Sequence, residues 1–153
     1  MSLPSVNHEL LTPVNFIKRS VEVYPDKLAV VNGNKRYTYR ELYARINRLA
    51  SALKKLGIGR DDKVAFISPN TGPMLEAHFA VPMIGAVLVT VNIRLSAPEV
   101  SYILNHSDTK ICFVDNEFVP TRLPFIKAVT RMVAASSQPS SWQEYMMEKS
   151  VSD

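Results

Sequence analysis

Three short apolar runs, KVAFIS at 63–68, VLVTV at 87–91 and KICFVD at 110–115, recur at near-equal intervals along the chain. Each is almost continuous in apolar residues, as a strand must be when both of its faces are covered. A longer apolar segment, Pro73 to Ile84, separates the first two, and a shorter one beginning at Ser96 separates the last two. Strands alternating with helix-length connections specify right-handed βαβ units in a parallel sheet. The expected fold is α/β: a three-layer sandwich around a mainly parallel sheet with a βαβαβ core.

The residues before Lys63 carry local signals. Thr12-Pro13 pairs a hydroxyl cap with a proline whose missing N–H costs nothing in a first helical turn. Val14, Ile17, Val21 and Tyr24 follow at helical spacing, and Pro25-Asp26 closes the segment. KLAVV and the Asn32-Gly33 turn predict a hairpin over 27–39. In YTYREL (37–42), Thr38 and Glu41 form a capping box that opens a helix with the stripe Leu42, Ile46, Leu49, Leu53 and Leu56. Gly57 ends that helix, Ser96 and Glu99 form a second capping box, and Pro82 predicts a kink before Gly85. A helix and a β-hairpin therefore precede the βαβαβ core.

Charge is concentrated rather than large. Nine Lys or Arg residues stand against three acids between Lys35 and Lys63, in a chain of net charge +4. Helix faces account for most of them: Arg45, Arg48 and Lys55 lie off the apolar stripe, and Lys54 and Lys55 suit the negative end of the helix. Tyr37, Tyr39 and Tyr43 occupy strand and first-turn positions, which favours packing over base stacking. No base-reading module accompanies the charge, so no nucleic acid is expected as a partner. The lone Cys112 lies in an apolar run and is read as a small buried hydrophobe. No apolar run reaches the ~20 residues needed to cross a bilayer, so no membrane span is expected. The compartment expected is cytoplasmic.

Open α/β sheets bind ligands beyond the carboxyl ends of their strands. The residues there are Ser68, Asn70, Thr71 and Gly72, then Thr90, Asn92 and Arg94, then Asp115 and Asn116. Such residues also dominate turns and caps for backbone reasons, so none is assigned a catalytic, cofactor-binding or metal role. Gly57-Ile58-Gly59 follows a helix instead of opening one, and Asp62 stands where a dinucleotide fingerprint needs its third glycine. His8, His78 and His106 are scattered, with His78 read as a core or interface residue. Asp61-Asp62 is read as a turn.

After Asp115 the pattern weakens. Phe125 to Val129 is a further candidate element, AASSQPSS (134–141) reads as a linker, and Ser141 can cap a short amphipathic helix over Trp142 to Met147. Residues 134–153 are therefore expected to be a linker with a short helix, at a fragment boundary or forming a docking segment.

The ordered set LTPVNFIKRSVEVYPDKLAVV, YTYREL, the Asn70 turn, MIGAVLVTVNIRLS and YILNHS resembles the N-terminal portion of adenylate-forming acyl-activating enzymes, over roughly residues 11 to 118. These are the fatty-acyl-CoA synthetases and AMP-dependent ligases. On this resemblance, residues 1–133 form a partial N-terminal subdomain of such a ligase. The resemblance implies conversion of a carboxylic acid, ATP and coenzyme A to acyl-CoA, AMP and pyrophosphate, with Mg2+ accompanying ATP. It also implies a phosphate-handling loop of the form TSGTTG…PKG and a catalytic C-terminal domain, neither found in these 153 residues. The chain thus reads as a truncated synthetase, inactive alone, with no cofactor of its own. Its expected partner is the remainder of such an enzyme, with fatty acid bound only by the complete assembly. The alternative is a non-catalytic interaction module, such as a homodimer.

Overall fold

The structure, a computed structural model, describes residues 11–118 and the backbone of 131–135. His8, the candidate element over 125–129 and the capped segment at 141–147 lie outside the described residues. Helix α1 (Pro13–Val23) is followed by strands β1 (Leu28–Asn32) and β2 (Lys35–Thr38) and helix α2 (Tyr39–Lys55). Then come β3 (Lys63–Ile67), α3 (Gly72–Met83), β4 (Val87–Thr90), α4 (Ala97–His106), β5 (Thr109–Asp115) and β6 (Arg131–Ala135).

The hairpin closes at Gly33, which takes φ +57°, the backbone region where a glycine costs least. Thr38 then makes its capping box. Its N–H donates to Glu41 Oε2 (2.7 Å), while Glu41 N–H donates to Thr38 Oγ1 (3.3 Å). The far end of α2 is a Schellman stop: Gly57 at φ +80° donates to Lys54 O, and Ile58 N–H reaches back to Leu53 O. Ile58 and Leu53 are both buried in the same apolar cluster, so the backbone stop doubles as a packing contact.

The four-stranded sheet runs β4-β3-β5-β6, and every pairing is parallel. Side chains alternate across it. Val64, Phe66, Ile111 and Phe113 face Leu53 of α2 and Met74, Ala77 and Val81 of α3. Ala65, Ile67, Cys112 and Val114 face Val100 and Leu104 of α4. Helices therefore cover both faces, which gives three layers. A further cluster joins Ile17, Leu42, Ile46, Ala50 and Ala80, tying α1 to α2 and α3. Cys112 is fully buried, and burial pushes its thiol pKa up to about 12.

Three differences from the sequence reading have physical causes. Strand β6 is a fourth strand beyond the βαβαβ core, and it takes in Ala134 and Ala135 from the start of the small-residue run. Arg45 is not a solvated flank. Its side chain is only 11 % exposed, its Nε sits 2.5 Å from Oε1 of the buried Glu76, and its guanidinium lies 4.5 Å over the Tyr37 ring. His78 is not in the core but exposed, with its Nδ1 2.8 Å from Met74 O.

At the amino ends of the strands, Asp62 accepts from Gly59 N–H (2.9 Å) and pairs with Lys110 Nζ (2.5 Å). The hydrogen bond from Lys110, then that from Gly59, holds the Asp62 carboxyl below its ordinary pKa. A lowered folded value stabilises the fold above the ordinary carboxylate range, and this contribution is lost as pH falls through the lowered value. In an NMR titration, Lys110→Ala is expected to move the Asp62 transition upward. An unchanged transition would refute the pairing.

Candidate functional site

Strands β3 and β4 are parallel neighbours, yet the helices that follow them pack on opposite faces of the sheet. Their exit loops diverge, and a crevice opens between the carboxyl ends of the two strands, as expected where an α/β chain changes face. This cleft of about 420 Å³ is lined by Ser68 and Asn70 after β3, Thr90 and Asn92 around the end of β4, and Met74 and His78 of α3. Four residues read from the sequence as carboxyl-end candidates thus come together. Arg94, Asp115 and Asn116 do not line it.

Local bonding sets what each group offers. The buried Ser68 donates its hydroxyl to Pro69 O (3.2 Å), and Thr71 Oγ1 does the same at 3.4 Å, so both satisfy the turn. Thr71 is the N-cap of α3 and Gly72 its buried first residue. Asn92 Oδ1 accepts from Arg94 N–H (2.9 Å), which leaves the Asn92 amide N–H groups as donors. The Nδ1 of His78 faces the Met74 carbonyl, which can only accept, so Nδ1 carries a proton and donates it there.

Asp115, at the end of the flanking β5, is 2 % exposed. Its Oδ1 accepts from Glu117 N–H (3.2 Å), and its Oδ2 has no hydrogen-bond partner among the described residues. His106 stacks on Tyr102 of the same helix, with centroids 5.6 Å apart. Among the described residues, no three His, Cys, Asp or Glu side chains gather as a metal centre. Among the described residues, no charged side chain lines the crevice. It does not fit a nucleoside triphosphate with its divalent cation, and no chemical step is assigned to it. Sequence reasoning missed His78 as a lining residue. The available signal was a single polar ring in an otherwise apolar helix.

The AMP-binding enzyme family matches residues 17–152. The chain belongs to that family. It is 48 % identical over 118 residues to an acetate/butyrate–CoA ligase of Arabidopsis thaliana, covering 76 % of this chain and 21 % of that protein. It is 41 % identical over 137 residues to a 4-hydroxybutyrate–CoA ligase of Metallosphaera sedula, covering 88 % of this chain and 25 % of the relative. The N-terminal domain of FACL13 from Mycobacterium tuberculosis superposes with a TM-score of 0.77 at 31 % identity, covering 86 % of this chain and 34 % of that one. A benzoate CoA ligase from Burkholderia xenovorans shares the fold at a TM-score of 0.79 and 23 % identity, over 91 % of this chain and 28 % of that one. The chain spans about a fifth to a quarter of the length of these curated relatives.

Proposed function

We propose that this member of the AMP-binding family is the N-terminal scaffold of an ATP-dependent acid–CoA ligase and does not form an acyl-adenylate alone. The observation that carries the reading is the high identity to acid–CoA ligases over a stretch that is only about a fifth of their length. Ionised carboxylate is a poor acyl donor, and adenylation turns its oxygen into a leaving group while cations neutralise the phosphates. The described residues of the crevice supply no such charge, so ATP, Mg2+ and coenzyme A belong to the complete enzyme. Relatives named for acetate and butyrate support a short fatty acid as its substrate.

The test combines the purified chain with the remaining four-fifths of the Arabidopsis butyrate relative, ATP, Mg2+, butyrate and coenzyme A. Butyryl-CoA is expected only when both proteins are present. Formation by the chain alone, or none from two folded proteins, would overturn the proposal.

A second reading, self-association, is supported by exposed apolar side chains concentrated around α1 and β1. Leu11 is 85 % exposed, and Phe16, Tyr24 and Val31 are each more than half exposed. Sedimentation should then show a dimer, and a monomer at high concentration would remove this reading. No helix among the described residues is long and apolar enough to cross a membrane. The cytoplasm is the compartment we propose, although some relatives are peroxisomal by name; imaging of the tagged chain separates the two.

A further inference from the structure

We propose that β4 pairs antiparallel with β4 of a second copy of this chain, joining two four-stranded sheets into one across a two-fold axis. Strand β4 is the outer strand of the order β4-β3-β5-β6, and among the described residues no strand pairs with its far side. Successive residues of a strand direct their backbone groups to opposite sides. Val87 N–H donates to Asp62 O (2.8 Å) and Val91 N–H to Phe66 O (3.0 Å), so Val87, Val89 and Val91 are turned toward β3. Leu88 and Thr90 therefore direct both N–H and C=O outward, along an edge that a further strand can complete. Proteins commonly guard such edges with charge, proline or a bulge. The run VLVTV (87–91) has neither charge nor proline, its register on β3 is regular, and Val87 is 46 % exposed.

The outward groups and the flanking charges select a second copy as the occupant. Leu88 and Thr90 are separated by one inward residue, which makes the edge complementary to itself. When two copies meet antiparallel, Leu88 of each stands opposite Thr90 of the other, and each such pair exchanges both backbone hydrogen bonds. Val89 then lies on the two-fold axis, opposite Val89 of the second copy. A symmetric contact sets like against like, so a charged edge would repel itself, and β4 carries no charge. The charges at its two ends are complementary. Asp61, 84 % exposed, is held at the amino end by its N–H bond to Gly85 O (2.9 Å), with Arg60 at 3.7 Å. The exposed Arg94 follows the carboxyl end. Antiparallel pairing sets the Asp61 end of each copy beside the Arg94 end of the other, and it covers Val87.

This pairing rests on the self-association reading for the existence of a dimer, but it uses a different surface from α1 and β1. Val89→Cys tests the register. Antiparallel neighbours that do not share hydrogen bonds have Cα atoms about 4.5 Å apart, within reach of a disulfide. The native Cys112 stays out of the reaction, because it is buried and its thiol pKa is pushed up to about 12. Under mild oxidation, Val89→Cys is expected to give a disulfide-linked dimer. Val87→Cys, at a more exposed position but opposite Val91 in this register, is expected to stay unlinked. Sedimentation supplies a second readout: the unaltered chain should be a dimer, and Thr90→Pro should weaken self-affinity by about tenfold or more. Proline there removes only an outward N–H, which edge strands tolerate. Thr90→Lys, which keeps every bond to β3, should weaken it in the same direction. A monomeric unaltered chain, linking at Val87 as efficient as at Val89, or a dimer insensitive to both Thr90 variants would overturn the proposal. A dimer that Val89→Cys fails to lock would remove this pairing and leave self-association through α1 and β1 standing. Each of these results leaves the ligase reading untouched.

Discussion

Replacing Glu76 by alanine is expected to destabilise the chain by about 3–5 kcal/mol, the usual cost of removing one partner from a buried ion pair. Glu76 and Arg45 are 4 % and 11 % exposed, so the guanidinium left behind cannot recover its hydration without moving. The pair also bridges long-range structure. Arg45 belongs to α2, Glu76 to α3, and the guanidinium lies over Tyr37 of β2. Losing the carboxylate therefore loosens α3, the helix that carries Met74 and His78 into the crevice. Urea unfolding measures the loss, and a midpoint shift without a change in slope identifies it as stability. Removing both charges together, as Arg45→Met with Glu76→Leu, should cost far less, because buried pairs exchange for apolar residues of similar volume with little penalty. A double variant as unstable as the single one would mean that the shape of the site, not its charge, sets the cost.

Phe113→Ala is expected to be equally severe, at about 3–5 kcal/mol, from lost burial and the cavity left behind. Phe113 is fully buried on β5, which is hydrogen-bonded on both sides by β3 and β6. Its ring stacks on Phe66 at 4.7 Å, inside the cluster that joins the sheet to α2 and α3. Phe113→Leu keeps most of the volume and should cost less than about half as much. Thermal or urea unfolding of the two variants checks the order. Equal losses would show that the ring stack, not the filled volume, dominates. Since whole domains are typically stable by only about 5–15 kcal/mol, either severe variant is expected to leave the chain marginal.

Much of this architecture was legible because its signals are local. The Thr38 and Glu41 box, the Gly57 stop and the buried strands 63–67 and 109–115 are each determined by residues a few positions apart. The crevice was partly legible for the same reason: strand ends and turn residues gave Ser68, Asn70, Thr90 and Asn92. What escaped depends on distant partners. Arg45 finds Glu76 only when α2 packs on α3, 31 residues later in the chain. His78 sits in a helix so uniformly apolar that no stripe marks which side meets the crevice. Strand β6 has one basic residue, two larger apolar residues and two alanines, too weak a pattern to separate from a linker. Only pairing with β5 marks it as a strand.

The central claim is that these residues form the scaffold lobe of an acid–CoA ligase, and a covalent chimera tests it most directly. Residues 17–118 would replace the corresponding stretch of the Arabidopsis butyrate relative, and butyryl-CoA formation would be measured against the parent enzyme. The expected result is a folded chimera with activity within about tenfold of the parent, a loss of roughly 1.4 kcal/mol or less in transition-state stabilisation. A folded chimera that binds ATP and butyrate yet forms no butyryl-CoA would contradict it.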